Sequence, residues 1–249
     1  MLESKWRASC LALVLCAWPV LAAAEYEGYD VRDGGAIRGR VRVSGTVAAP
    51  TAHAVQKDVT VCGHAVEDRS LLVGQKGALA NAVVFLSGIE AGKAIDVEAP
   101  ATLDNRACRF EPHVQSLSVG QSLVISNSDP VLHNTHSYVL DGGRGNRFNL
   151  ALARQGTQIR KRVALPGLHQ VKCDAGHTWM NAYFYAFEHP YHTVVGPEGT
   201  FELEAVPPGT YTLHVWHETL GRLEATVRVR SGEDVTVSDF VYQAAAPKG

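Results

Sequence analysis

The sequence KCDAGHTWM, residues 172–180, places three side chains that can bind a metal within one short stretch. It contains the thiol of Cys173, the imidazole of His177 and the thioether of Met180. A segment with alternating apolar residues comes before it and the aromatic run AYFYAF follows it. The stretch is therefore predicted to be a loop between two β-strands.

A second imidazole comes from His133, in the upstream stretch NSDPVLHN. Two imidazoles, one thiolate and one weakly bound thioether are the ligand set of a blue-copper site. We therefore predict one mononuclear copper site formed by His133, Cys173, His177 and Met180. One alternative is a buried cysteine near unrelated histidines. Zinc is another, but a lone thiolate with a methionine is not a usual zinc ligand set.

The first 24 residues have the composition of a secretory signal peptide. Lys5 and Arg7 supply positive charge, residues 8–20 are apolar, and three alanines end at Ala24, where cleavage is expected. The apolar run is too short for a stable membrane anchor. We therefore predict a signal peptide at 1–24, no membrane span, and a periplasmic or secreted protein. The net charge of −2 does not indicate nucleic acid as a partner.

Export also limits the sulfur atoms that remain in the mature chain. Of five cysteines and two methionines, the mature chain keeps Cys62, Cys108, Cys173 and Met180. In an oxidising compartment we expect Cys62 and Cys108 to form a disulfide, with two free thiols as the alternative. The disulfide would close a loop of about 45 residues, which contributes on the order of 4 kcal/mol. Cys173 would then be the free thiol.

Most of the remaining chain is predicted to form β-strands. The segment AIRGRVRVS at 36–44 alternates apolar and basic residues, and ANAVVFL at 80–86 is a short apolar run. Glycine, proline, asparagine and aspartate separate such segments, as is typical of turns. No long stretch has the helical period, so we predict an all-β protein.

Short motifs occur in a fixed order along residues 101–188. They are FEP at 110–112, SVG at 118–120, Asn127 with His133-Asn134, PG at 166–167, and then Cys173, His177 and Met180. In this order they resemble a cupredoxin, the plastocyanin and azurin family, which implies a Greek-key sandwich with copper at one end. The Cys-x3-His-x2-Met spacing differs from the usual loops of that family. His169 stands where a binuclear thiolate loop has a second cysteine, so a mononuclear site is expected.

Segments on both sides of this region share the features of a second family. The sequences GPEGTFEL at 196–203 and VPPGTYTL at 206–213 resemble part of a carboxypeptidase regulatory-like, or transthyretin-like, β-sandwich. That family begins with strands similar to AIRGRV at 36–41 and NAVVFL at 81–86. Here these two strands precede the cupredoxin-like region, which indicates a discontinuous domain.

The predicted fold is therefore all-β with two sandwiches. A Greek-key cupredoxin sandwich at 97–189 is inserted in, or packed against, a transthyretin-like sandwich formed by 25–96 and 190–243. Domain insertion is tolerated at exposed loops whose ends lie close together. Residues 244–249 are predicted to be a disordered tail.

Side chains beside the ligands are expected to orient the site. Asn134, next to His133, and Asp174, next to Cys173, can hydrogen-bond across the two ligand loops. The resemblance implies that His177 exposes one edge, so that His177 or a rim residue beside it would be the electron port. The other histidines could form a second metal site, but they lack a ligand spacing and are expected to be surface or structural residues: His113, His136, His189, His192, His214 and His217.

These expectations define an electron carrier rather than an enzyme. Its partner would be a redox protein such as a c-type cytochrome, or a copper or quinone enzyme. One alternative is a copper delivery or storage protein with the same ligands. Another is an envelope module that binds carbohydrate and has a degenerate copper site, with Trp216, Tyr191 and Tyr211 as a sugar-stacking surface.

Overall fold

The computed structural model describes residues 25–141 and 145–244. The predicted signal peptide at 1–24 and residues 245–249 of the predicted tail lie outside the described residues. Almost all regular structure in the described part is β-strand, which confirms the all-β prediction. No helix in this part is long and apolar enough to cross a membrane.

The elements follow one another along the chain in three groups. The first group has two short helices and six strands: β1 Glu27–Gly28, β2 Gly35–Ser44, β3 Ala52–Ala54, α1 Val59–Cys62, β4 Ala65–Glu67, a 3-10 helix Gln75–Gly77, β5 Val83–Ser87 and β6 Ala91–Gly92. The second has nine strands: β7 Ala101–Arg106, β8 Arg109–Glu111, β9 Val114–Ser118, β10 Ser122–Asn127, β11 His133–Val139, β12 Gly145–Leu152, β13 Gln158–Arg162, β14 Gly167–Lys172 and β15 Asn181–Phe187. The third has six: β16 His192–Val194, β17 Thr200–Val206, β18 Gly209–His217, β19 Gly221–Val229, β20 Val235–Thr236 and β21 Phe240–Gln243.

The nine middle strands form a sandwich of two sheets, here called the central sandwich. One sheet has the order β13-β10-β7-β8 and the other the order β12-β11-β14-β15-β9. Strands such as β10 alternate, with Leu123, Ile125 and Asn127 buried and the residues between them half-buried. This period of two lets each strand place one face in the apolar core between the sheets.

Strands from both ends of the chain form a second, flanking sandwich. Its sheets have the orders β16-β5-β18-β19 and β17-β2-β20, and β21 also pairs with β2. The early strand β2 pairs with the late strand β17 in an antiparallel register that matches Ile37 with Leu203. Both residues belong to the core of this sandwich, at 0% and 3% exposure. The predicted domain boundaries near residues 96 and 190 stay predictions.

Residues 52–67 pack on the central sandwich, although the sequence places them within the first half of the flanking one. Val55, Cys62 and Val66 are buried in the same apolar cluster as the residues of the central core. Cys62 forms a disulfide with Cys108, and their Cα atoms are 5.3 Å apart. Cys108 is fully buried. The predicted disulfide is therefore confirmed, and it anchors this early segment to the turn between β7 and β8.

An apolar cluster joins the two sandwiches. Val83 and Phe85 from β5 pack against Tyr185 and Phe187 from β15, and the rings of Phe85 and Phe187 have centroids 4.7 Å apart. Trp216 packs against the same cluster. Burial of apolar and aromatic surface on both sides stabilises the contact between the sandwiches.

The candidate metal centre

The fold brings the two ligand stretches together at one end of the central sandwich. β14 pairs with β11 in a register that places Lys172 opposite His136, and it also pairs with β15. The loop that follows Lys172 therefore emerges beside the first residue of β11, which is His133. Long-range strand pairing thus places the upstream imidazole next to the loop that carries the thiol.

Three of the four predicted ligands converge in the structure. Donor atoms of His133, Cys173 and His177 all lie within 4.8 Å of one another. Cys173 Sγ is 3.6 Å from His177 Nδ1, and the two imidazole rings have centroids 4.7 Å apart. The exposed fractions of His133, Cys173 and His177 are 0%, 5% and 0%. The cluster is enclosed by protein.

Each imidazole is held by a carboxylate on its outer nitrogen. His133 Nε2 donates to Asp129 Oδ2 at 2.9 Å, and His177 Nε2 donates to Asp58 Oδ2 at 2.8 Å. His133 Nδ1 is buried without a hydrogen-bond partner. A carboxylate on one ring nitrogen leaves the other as a lone-pair donor, which is how metal-binding histidines are oriented. The orphaned nitrogen and the donor set therefore fit a metal ion such as copper.

The protonation equilibria of the cluster follow from its burial. Burial raises the pKa of the Cys173 thiol, while backbone N–H donors, including that of Asn134 at 3.3 Å, act in the opposite direction. Burial lowers the pKa of His133, and the nearby His177 adds to this, although the hydrogen bond to Asp129 opposes it. His133 is thus neutral at neutral pH, as a ligand must be, and a metal ion that binds Cys173 displaces its proton.

The side chains next to the ligands have distinct contacts. Asn134 Oδ1 accepts from the backbone N–H of Asp174 at 3.2 Å, which joins the two ligand loops. The Asp174 carboxylate instead accepts from His136 Nδ1 at 2.5 Å. His136 lies three residues after His133 on β11, so the two rings point to opposite faces of the strand.

Met180 is buried in the same apolar cluster as Cys173, with 2% of its surface exposed. Its backbone N–H donates to the carbonyl of His177 at 2.9 Å, which closes the turn of the ligand loop. The neighbouring Trp179 lies 5.3 Å from the His177 ring and donates from Nε1 to the carbonyl of Cys108 at 3.0 Å. The role of Met180 as an axial ligand stays a prediction.

The expectation that His177 exposes an edge is wrong. Residues 57–62, here called the strap, cover the ligand loop. Within the strap, Lys57 Nζ donates to the carbonyl of Ala175 at 2.5 Å, and Asp58 binds the His177 ring. The outer nitrogen of His177, which was expected to face solvent, is therefore occupied by a carboxylate of this chain.

Sequence reasoning missed the two carboxylates that hold the ligand rings. Asp129 lies four residues before His133 in a turn, where its backbone N–H donates to Asn127 Oδ1 at 3.0 Å, so the local NSD sequence offers a signal. Asp58 is 119 positions from His177, and no local pattern indicates that contact.

The other predicted histidines have separate environments. His113 contacts the Glu218 carboxylate across the interface of the sandwiches, and His214 Nε2 is 2.8 Å from Ser87 Oγ. His192 Nε2 is 3.1 Å from Ser118 Oγ.

Within residues 25–141 and 145–244, two groups have three or more side chains that could hold a metal ion. They are the cluster above and a set of Cys108, Asp129 and His133. Cys108 is in the disulfide, so the second set lacks a free thiolate.

The aromatic residues considered for sugar stacking are largely occupied by packing. Tyr191 is fully buried, and its hydroxyl donates to the carbonyl of Ala205 at 2.8 Å. Trp216 contacts the ring of Tyr183 at 5.5 Å, at the interface between the sandwiches. Tyr211 packs beside the core of the flanking sandwich. These three residues therefore do not form one exposed platform.

Buried neutral histidines predict that acid destabilises the copper-free protein. Burial lowers the pKa of His169, His189 and His217 to about 4 and that of His192 to about 3. In the unfolded chain these histidines bind protons below about pH 6.5, whereas in the folded chain they do so only at much lower pH. Their full contribution to the free energy of unfolding is therefore present above about pH 6.5, and it decreases as the pH falls below that value. We expect denaturant unfolding at pH 5 to give a free energy several kcal/mol lower than at pH 7.

A matched variant tests the origin of this pH dependence. His169 stacks on Phe184 with ring centroids 4.2 Å apart, so His169→Phe keeps an aromatic ring there. In this variant the difference in unfolding free energy between pH 7 and pH 5 should be smaller by on the order of 1 kcal/mol. An unfolding free energy of the unmodified protein that is the same at both values contradicts the prediction.

Several solved structures of copper proteins are similar to part of this chain, all at low TM-scores. The purple cupredoxin from Nitrosopumilus maritimus is 21% identical over 35% of this chain and 99% of its own, with a TM-score of 0.30. Amicyanin from Paracoccus versutus is 10% identical over 37% of this chain and 85% of its own, with a TM-score of 0.31. The Cu-containing nitrite reductase (NirK) from Thermus scotoductus SA-01 is 21% identical over 39% of this chain, with a TM-score of 0.30, and the match spans only 24% of that enzyme.

One family model matches part of the chain. It is described as polysaccharide lyase family 4, domain II, and it covers residues 167–237, which run from β14 into the flanking sandwich. It is not the carboxypeptidase regulatory-like family that the sequence resembles. No curated protein matches the chain. The fold and the site define an all-β protein in which a two-sheet sandwich carries a buried His-Cys-His cluster.

Proposed function

We propose that this protein is an exported mononuclear copper protein that transfers single electrons to or from a redox partner. The observation that carries the proposal is the convergence of His133, Cys173 and His177, enclosed by protein, with their donor atoms within 4.8 Å. One thiolate and two imidazoles form the equatorial ligand set of a blue-copper site. Met180 supplies the weak fourth ligand in this proposal.

The chain contributes a rigid frame for this ligand set. Copper held by one thiolate and two imidazoles supplies one-electron transfer with little change in geometry. His133 is fixed by β11 and by Asp129, and the thiolate of Cys173 is held by the N–H of Asn134. Hydrogen bonds to the sulfur and to the outer ring nitrogens restrict motion of the ligands in both oxidation states.

The proposed partner is a redox protein such as a c-type cytochrome, or a copper or quinone enzyme, in the periplasm or outside the cell. A role as a carrier, rather than as an enzyme, is supported by the closed cluster, because a substrate needs an open position at the metal. In the same proposal the flanking sandwich is a transthyretin-like accessory domain that supports the central one through Phe85 and its neighbours.

Two alternatives make different demands on the site. A delivery or storage protein needs ligands that exchange metal readily, whereas these ligands are 0–5% exposed and anchored to carboxylates. A carbohydrate-binding module draws support from the match of residues 167–237 to a polysaccharide lyase domain. Binding of a glycan panel to the copper-free protein with micromolar affinity would favour this second alternative.

The decisive experiment is to purify the exported protein, add Cu(II) and record optical and EPR spectra. We expect an intense thiolate-to-Cu(II) charge-transfer band, one copper per chain, and bleaching of the band on one-electron reduction. A protein that binds copper without such a band, or that does not bind copper, contradicts the proposed function.

Replacement of Met180 by leucine tests the fourth ligand. The two side chains have similar volume, so Met180→Leu should fold with a loss below about 1.5 kcal/mol at this buried position. We expect the charge-transfer band to remain while the reduction potential changes, because the axial ligand tunes the potential. Spectroelectrochemistry measures both quantities. If neither the spectrum nor the potential changes, Met180 is not a ligand.

A further inference from the structure

We propose that Asp58 is a positioning residue of the metal centre, and that the strap holds His177 with its Nδ1 directed at Cys173. The inference rests on the proposed copper function, but it concerns a residue outside the ligand motif. The juxtaposition is a strap carboxylate on the outer nitrogen of one ligand ring, with the inner nitrogen 3.6 Å from the thiol sulfur.

The contact is specific in its geometry. Asp58 Oδ2 is 2.8 Å from His177 Nε2, and the ring is fully buried while the carboxylate is 30% exposed. An ionised carboxylate only accepts hydrogen bonds, so the imidazole must carry its proton on Nε2. In the neutral ring Nδ1 is then the lone-pair donor, and it is directed toward the cluster. Asp58 therefore selects the tautomer that can bind a metal.

The strap holds this carboxylate in place through several independent contacts. Asp58 adopts the left-handed conformation, with φ 52° and ψ 37°, at the start of α1. Its carbonyl accepts the N–H of Cys62 at 2.9 Å, and Cys62 is bonded to Cys108. At the other end of the strap, Lys57 Nζ donates a hydrogen bond to the carbonyl of Ala175. A non-glycine residue in this backbone region persists only where surrounding contacts enforce it, and such residues cluster at functional sites.

The disulfide also joins the two carboxylates that hold the ligand rings. Asp129 accepts N–H groups from Ala107 and Cys108, both at 2.8 Å. Cys108 is covalently linked to Cys62, whose N–H binds the Asp58 carbonyl. One covalent bridge therefore supports the outer nitrogens of both His133 and His177.

The charge of Asp58 has an energetic consequence for the bound metal. A carboxylate that accepts from a ligand ring increases the basicity of that ring, which favours the more positive Cu(II) state over Cu(I). Removal of the charge should weaken Cu(II) binding relative to Cu(I). Removal of the whole side chain should also free the ring to change tautomer and should expose the ligand to solvent.

Two variants separate these effects. Asp58→Asn keeps an acceptor and tolerates the left-handed backbone, whereas Asp58→Gly removes the side chain and is also compatible with positive φ. Glu67→Gln is the control, because it removes one exposed charge from β4, close in sequence to the strap. For each protein we would measure the reduction potential with copper, and the His177 tautomer by 15N NMR without metal.

We expect the Nε2–H tautomer of His177 in the unmodified protein, in Asp58→Asn and in Glu67→Gln, and a mixture in Asp58→Gly. Asp58→Asn should favour Cu(I) about tenfold relative to Cu(II), a potential higher by about 59 mV. Asp58→Gly should bind Cu(II) at least tenfold more weakly. Glu67→Gln should match the unmodified protein.

The outcomes distinguish this inference from the proposed function. If the unmodified protein fails to form the copper site but the tautomers follow the expected pattern, the copper function is wrong and the positioning role of Asp58 stands. If copper binds and both Asp58 variants have the tautomer and potential of the unmodified protein, the positioning role is wrong and the copper function stands.

Discussion

Replacement of Cys173 by alanine is expected to abolish the charge-transfer band and to lower Cu(II) affinity by several orders of magnitude. Cys173 is the free cysteine in the described part of the chain, and it is buried beside both imidazoles. Without the thiolate, His133 and His177 remain as the strong donors, and two imidazoles make a much weaker site. Titration with Cu(II), followed by optical absorption and EPR, measures both changes.

The same variant should retain its fold, which makes the loss of the band interpretable. The side chain is small, so its truncation leaves a limited cavity and should cost on the order of 1 kcal/mol in the metal-free protein. The N–H of Asn134 loses only a weak sulfur acceptor. A band that persists in Cys173→Ala would show that another group binds the metal, and the proposed ligand set would then be wrong.

The second large effect is expected when Cys62 and Cys108 are both replaced by alanine. The disulfide spans 46 positions, so its removal should lower the free energy of unfolding by about 4 kcal/mol through the added entropy of the unfolded chain. The strap should also open, because α1 would lose its covalent anchor and keep only the packing of Val59 and Val61 and the side-chain contacts of Lys57 and Asp58. Denaturant unfolding and hydrogen exchange of residues 57–62 measure the two effects.

The matched control is the unmodified protein under reducing conditions, where the same loop opens without a change of sequence. Its loss of stability should agree with that of the double variant to within about 1 kcal/mol. A double variant with unchanged stability and unchanged exchange in the strap would mean that packing of Val55 and Val66 alone anchors the segment.

Much of the fold and of the candidate site is encoded by short stretches of sequence and could therefore be predicted. The ligand loop places Cys173, His177 and Met180 within one turn between two strands. Alternating apolar and polar residues indicate the strands, and turn residues mark where they end. The expectation of an oxidising compartment led to the Cys62–Cys108 pairing, which the structure contains. These features depend on short spacings and on residue type, which a sequence states directly.

The enclosure of the site was decided only by the tertiary structure. The strap belongs by sequence to the region before β5, yet it lies on the central sandwich and closes the edge of His177. Asp58 and His177 are 119 positions apart, and the carboxylate matters only because strand pairing and the disulfide bring it to the ring. Residue types and spacings determined which side chains could bind a metal, whereas long-range packing determined which ring nitrogen faces the thiol and whether solvent reaches it. The physical reason is that hydrogen bonds and burial depend on distance in space. No local sequence pattern records which residues that are far apart in the chain will meet in the fold.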